Sequence, residues 1–147
     1  MGIYSKLACK NFKDGYNCAQ SVLLAFSDKI ALDKEKALML TSSFGGGMGR
    51  LREVCGAVSA MFIIAGILKG YTEPNNDIVK ANHYKLIQDL AAEFKLKHGT
   101  IICRELLGLD GTEFSPIPSA RTDEYYKERP CEEFIRCAAE IVEEDLI

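Results

Sequence analysis

The residues most able to do chemistry in this sequence are its six cysteines, and their spacing already narrows what that chemistry is. Cys9, Cys18, Cys55, Cys103, Cys131 and Cys137 contain no CxxC pair. Zinc knuckles, thioredoxin-type active sites and covalent c-type haem attachment all require such a pair, so none of them fits. Thiols that act together here must meet across separate helices.

Helical phase sorts the six into two groups. Cys18 shares a stripe with Val22, Ala25 and Phe26, and Cys55 with Leu51, Val58, Met61, Phe62 and Ala65. Cys103 lies with Leu106 and Leu107, and Cys131 with Phe134, Ile135, Ala138 and Val142. These four are predicted to point inward. Cys9 and Cys137 fall toward the edge of the buried face. Three of the inward thiols also sit at predicted helix starts: Cys18 after Asn17, Cys103 three residues after Thr100, and Cys131 after Pro130. Free N–H groups and the positive end of the helix dipole stabilise a thiolate there, and the thiolate is the form that binds metals and attacks disulfides. Cys55 is placed in the second turn of its helix, beneath a glycine-rich entry that permits close approach of backbone or a cofactor. The rival reading is a buried cysteine acting as a small hydrophobe.

The elements that must position these thiols read as all-α, a single-domain multi-helix bundle over residues 1–147 with about six or seven helices. No strict apolar alternation long enough for a strand appears. A first helix spans about Ile3 to Lys13, and a second, capped by Asn17, runs from Cys18 to about Asp28. Asp33 caps a third that ends at Gly45, Gly46 and Gly47. An apolar helix after Gly49 runs to about Lys69, and a long amphipathic one reaches His98 with the stripe Val79, Leu86, Ile87, Leu90 and Phe94. Thr100 is read as the cap of a short helix through Leu107. Residues 108–129, with Pro116 and Pro118, form the least regular stretch, holding one short helix near Asp123 to Lys127. A last helix starts near Pro130.

Composition excludes several functions. The 18 basic and 21 acidic residues leave a net charge of -3 with no basic stripe, which argues against nucleic acid and acidic membrane surfaces. The longest uncharged stretch, Val54 to Leu68, falls short of the roughly 18 apolar residues of a membrane span. No signal-peptide pattern occupies Met1 to Lys10, so a cytoplasmic, reducing location is expected, where cysteine clusters bind metal or do redox work more often than they form static disulfides. Gly45, Gly46, Gly47 and Gly49 match neither a dinucleotide fingerprint nor a P-loop, because Met48 and Arg50 interrupt them and no GK pair follows. Close packing, or anion binding near Arg50 and Arg52, is their remaining use. His83 lies on the long helix's apolar stripe and reads as a core or edge histidine. His98 ends that helix, where an imidazolium suits the dipole. No Ser/His/Asp constellation is present.

Around the cysteines the sequence resembles the C_GCAxxG_C_C family of redox-active proteins, known by a CGAxxG motif and single cysteines on either side. The matching stretches are GYNCAQSVL at 15–23, FGGGMGRLREVCGAVSA at 44–60, Cys103 followed by RELLG, and CEEFIRCAAEIVEE at 131–144. Ala60 stands where the motif ends in glycine. The resemblance implies that Cys18, Cys55, Cys103 and Cys131 are the working set, leaving Cys9 and Cys137 as extras. Similar cysteine arrangements in split-Soret cytochromes carry an iron–sulphur cluster, so the resemblance implies cofactor and metal binding by these four thiols, for electron transfer or sensing. Zinc at the same thiols, a metal-free dithiol/disulfide protein, and a helical interaction module with merely packed cysteines are the alternatives. A redox partner protein and a second copy of the chain remain open as partners.

Overall fold

In the computed structural model, which describes residues 2–109 and 115–147, the chain is an all-α bundle. Its helices are α1 (Ile3–Lys13), α2 (Cys18–Ala25), α3 (Lys34–Thr41), the single turn α4 (Gly45–Met48), α5 (Gly56–Lys69), α6 (Asp77–His98), α7 (Cys103–Leu106), α8 (Asp123–Glu128) and α9 (Cys131–Asp145). Among the described residues, no helix is long and apolar enough to cross a membrane. The expected irregular stretch at 108–129 lies partly outside the described residues.

Helices α1, α2, α5 and α9 pack together at the centre, α3 lies on α2, and α6 covers α5 and α9. The division follows from composition. Helix α5 is apolar on nearly every side, as a helix surrounded by others must be, and Val58, Met61 and Ile64 are fully buried. Helix α6 instead buries one stripe, which tightens toward its end: Val79, Leu86 and Ile87 are half-buried, whereas Leu90 and Phe94 are enclosed. Phe12, Leu23, Phe26, Ile135 and Ile141 complete the largest buried groups.

Several boundaries differ from the sequence reading, and each has a local cause. Helix α2 ends at Ala25, not near Asp28, because Phe26 and Ser27 turn their N–H groups back to Leu23 and Leu24 and the Ser27 hydroxyl also takes the Leu24 carbonyl. Helix α3 stops at Thr41 and passes through a 3₁₀ turn, Ser42–Phe44, before reaching the glycines. The apolar helix begins at Gly56, so Cys55 is its N-cap residue and not part of a second turn; Leu51, expected inside, is 54% exposed. Thr100 does not cap α7. Its hydroxyl accepts from Ile102 N–H and donates to Glu105, while Ile102 occupies the N-cap. Pro130 is the N-cap of α9, and Cys131 is its first residue.

Candidate functional site

The four cysteines selected by phase line one cavity of about 300 Å³. Each stands at a helix start: Cys18, Cys103 and Cys131 are first residues of α2, α7 and α9, and Cys55 precedes α5. All six cysteines are free thiols. Cys55, Cys103 and Cys131 are buried and Cys18 is partly so. Local devices hold each in place. A capping box between Asn17 and Gln20 fixes the entry of α2. An isolated antiparallel bridge joins Val54 to Ile102, with Cys55 N–H donating to Ile101 O at 2.8 Å and Cys103 N–H to Glu53 O at 2.6 Å. Two cysteines far apart in sequence thus flank one piece of paired backbone.

The glycine stretch forms the neighbouring wall. Gly46, Gly47, Met48, Gly49 and Arg50 have φ between 62° and 70°, a left-handed turn, and Arg52 follows at 61°. For the residues with side chains this costs roughly 1–2 kcal/mol each, so the turn is held by what it touches. Gly47 shows why its position has no side chain: a Cβ there would stand 2.6 Å from Cys103 Cβ and 2.9 Å from the backbone of Arg52 and Glu53. Gly56 plays the same part for α2 and α5, since its Cβ would meet Cys18 Cβ at 3.1 Å and the Phe44 carbonyl at 2.8 Å. Among the described residues, no three cysteine sulphurs lie within 4.8 Å of one another; the group meeting that spacing is Glu93, Glu144 and Asp145, away from the cavity.

The family model described as "Putative redox-active protein (C_GCAxxG_C_C)" matches residues 16–145, nearly the whole chain and all four cavity cysteines. The chain belongs to this family. No curated protein and no solved structure matches it. In this C_GCAxxG_C_C protein the motif occupies the join between Cys55 and the first turn of α5, and Ala60, in place of the motif's last glycine, is fully buried within the helix.

Charge around the thiols is one-sided. Arg50, Arg52, Arg121 and Arg129 line the cavity, and no Asp or Glu does so among the described residues. Arg52 is buried, and its Nη1 donates to Cys103 Sγ at 3.7 Å. Arg121 lies 4.2 Å over the Phe12 ring and donates to the carbonyls of Phe12 and Tyr16. The thiols respond unequally. Cys131 is lowered to about 7, first by a hydrogen bond with Cys18, with Arg129, Arg121 and Arg52 adding to it against the effect of burial. Cys18 is correspondingly pushed well up by the same bond and by burial. Burial raises Cys55 to about 12, although the amides of Val58 and Ala57 oppose it, and it raises Cys103 despite Arg52. Removing one proton from the Cys18–Cys131 pair is therefore the easiest ionisation among the four cavity cysteines.

Cys9 and Cys137, expected near the edge of the buried face, are buried, and neither lines the cavity. Cys9 faces the Glu132 carbonyl at 3.9 Å, and burial raises both thiols, Cys137 to about 11. His83 is half-buried with its ring edge-on to Tyr71, and its Nδ1 is enclosed without a partner. His98 departs from the imidazolium reading: its ring packs against Phe94 and Phe134, both with centroids 4.9 Å away, and burial lowers its pKa. Arg121, Arg129 and Tyr125 were not singled out by sequence. The one available signal was Arg129, two residues ahead of a cysteine at a helix start.

Proposed function

We propose that this protein holds a small iron–sulphur cluster through Cys18, Cys55, Cys103 and Cys131 and uses it for electron transfer or sensing. The observation that carries this reading is the convergence of four thiols, from four helix starts, on one cavity that no Asp or Glu lines among the described residues. All-thiol donor sets suit such clusters, and the arginines and helix N-termini favour the anionic charge of four thiolates. A bound cluster supplies one-electron redox chemistry. The chain's own part is to deprotonate and orient the ligands, to exclude water with Phe134 and Tyr125, and to keep backbone close through Gly47. Zinc at the same thiols is the variant that elemental analysis separates from a cluster. Anaerobic purification with iron and sulphide analysis tests the reading. Stoichiometric iron and sulphide support it, and a colourless protein with neither after reconstitution ends it.

A metal-free alternative is favoured by the Cys18–Cys131 pair. The Cys131 thiolate attacks a partner disulfide, one partner thiolate leaves, and Cys18 then attacks Cys131 in the mixed disulfide, releasing the reduced partner. The pair loses two electrons and the partner gains them. Thiol counts before and after mild oxidation separate the readings, because this route loses two titratable thiols with no iron bound.

A further inference from the structure

The arginines of the cavity are not fully accounted for by its thiols. Arg52 is only 5% exposed, yet its Nε makes no hydrogen bond, and its single polar side-chain contact is the long one to Cys103 Sγ. A buried guanidinium without an oxygen partner is costly, because its planar fork is built for paired contacts to oxygen and sulphur is a weak acceptor. The adjacent carboxylate does not relieve it, since Glu53 is engaged by Arg104 at 3.1 Å. Arg129 contributes a second charge, packed 5.7 Å over Tyr125 and in no ion pair among the described residues. It precedes α9, a full-length helix whose N-terminus no side chain caps. Arg52 and Arg129 each act electrostatically on both Cys103 and Cys131, so they face the same space.

We propose that the cavity binds a small tetrahedral oxyanion, of the sulfate class, between Arg52 and Arg129 at the start of α9, beside the Cys103 and Cys131 thiols. The oxyanion takes the unused Nε edge of Arg52 and the Cys131 and Glu132 amides that open α9, since the Glu133 amide is already turned to the Pro130 carbonyl. This goes beyond the redox reading and needs only the arginine face, so it holds for free thiols and for a cluster alike.

The test is calorimetric titration of inorganic sulfate into the full chain, reduced and iron-free, and again after reconstitution where iron binds, against chloride at matched ionic strength. Saturable sulfate binding is expected in each state, weakened about tenfold or more by Arg129→Gln and by Arg52→Gln, and unchanged by the distant Lys85→Gln. Arg129 is half-exposed, so its variant keeps the test decisive if the buried Arg52 variant fails to fold. Three results overturn the proposal: heat no greater than with chloride, unchanged affinity in Arg129→Gln, or sulfate binding abolished by cluster loading. Iron content is read separately. Sulfate binding without iron would retire the cluster alone, and iron without sulfate binding would retire the oxyanion alone.

Discussion

Two parts of this molecule bury cysteines to the same degree and surround them differently. In the helical core, Cys9 and Cys137 are 6% and 4% exposed; at the cavity, Cys55 and Cys103 are 5% and 8% exposed. Burial therefore does not distinguish a thiol packed in the core from one that lines the cavity. What differs is the position on the helix and what lies opposite. Cys9 and Cys137 are interior residues of α1 and α9, surrounded by side chains and helix backbone, whereas the cavity thiols occupy helix starts and face a void bounded by arginine and glycine.

The largest expected effect separates the two groups outright. Replacing any one of Cys18, Cys55, Cys103 or Cys131 by Ser is expected to remove most bound iron, while Cys9→Ala and Cys137→Ala keep it and cost about 1 kcal/mol of stability each, typical of a modest core truncation. Iron and sulphide content with denaturant unfolding of the six variants checks this. Iron retained in the cavity variants, or lost in the core ones, would erase the distinction.

A smaller effect tests the wall between the regions. Gly47 and Gly108 both have left-handed φ, 70° and 66°, but a Cβ at Gly108 meets nothing within 4 Å among the described residues. Gly47→Ala is expected to cost roughly 2–5 kcal/mol, the left-handed cost plus overpacking against Cys103 and the Arg52 backbone. Gly108→Ala carries only the first part, roughly 1–2 kcal/mol. Urea midpoints of the two variants decide it, and equal losses would mean that Gly47 is not wedged against the site.

That wall also marks where the sequence stopped being legible. Helix content, the Asn17 and Asp33 caps and the α6 stripe are local properties, carried by residues a few positions apart, and they read correctly. The inward direction of the four thiols followed from the same periodicity. The left-handed turn did not, because Met48, Arg50 and Arg52 adopt a conformation their own preferences oppose, held by backbone hydrogen bonds from Arg50, Arg52 and Glu53 back to Gly45, Gly46 and Gly47 and by the Val54–Ile102 bridge. That error put Cys55 a turn too deep and hid the fact that all four thiols share one kind of position. Arg121 and Arg129 were illegible for a related reason: their partners are rings and carbonyls contributed by α1 and α8.

The smallest effect is a proton count, and it sets Cys131 apart by sign from the other buried thiols, those of the cavity included. In the reduced, metal-free protein, Cys131 ionises near 7 while an ordinary thiol stands at 9.0. Between those values the unfolded chain holds the extra proton, so this thiol's contribution to stability grows as pH rises from 7 to 9 and is lost as pH falls through 7. Cys137 lies in the core at about 11, and Cys55 at the cavity's edge at about 12. For these the folded chain holds the proton that the unfolded chain gives up, so their contribution is complete below 9 and drains away as pH climbs toward 11 and 12. Each slope is bounded by about 1.4 kcal/mol per pH unit for one proton. Cys131→Ala should flatten the rise between 7 and 9, and Cys137→Ala should soften the alkaline fall while leaving that rise unchanged. Iodoacetamide labelling followed by peptide mapping gives the site-resolved check: Cys131 should react with a midpoint near 7, moving upward in Cys18→Ala because the hydrogen bond that lowers it most is gone. A Cys131 midpoint that stayed near 9 in the parent would show that the Cys18–Cys131 pair does not ionise as one unit, and the dithiol route would lose its nucleophile.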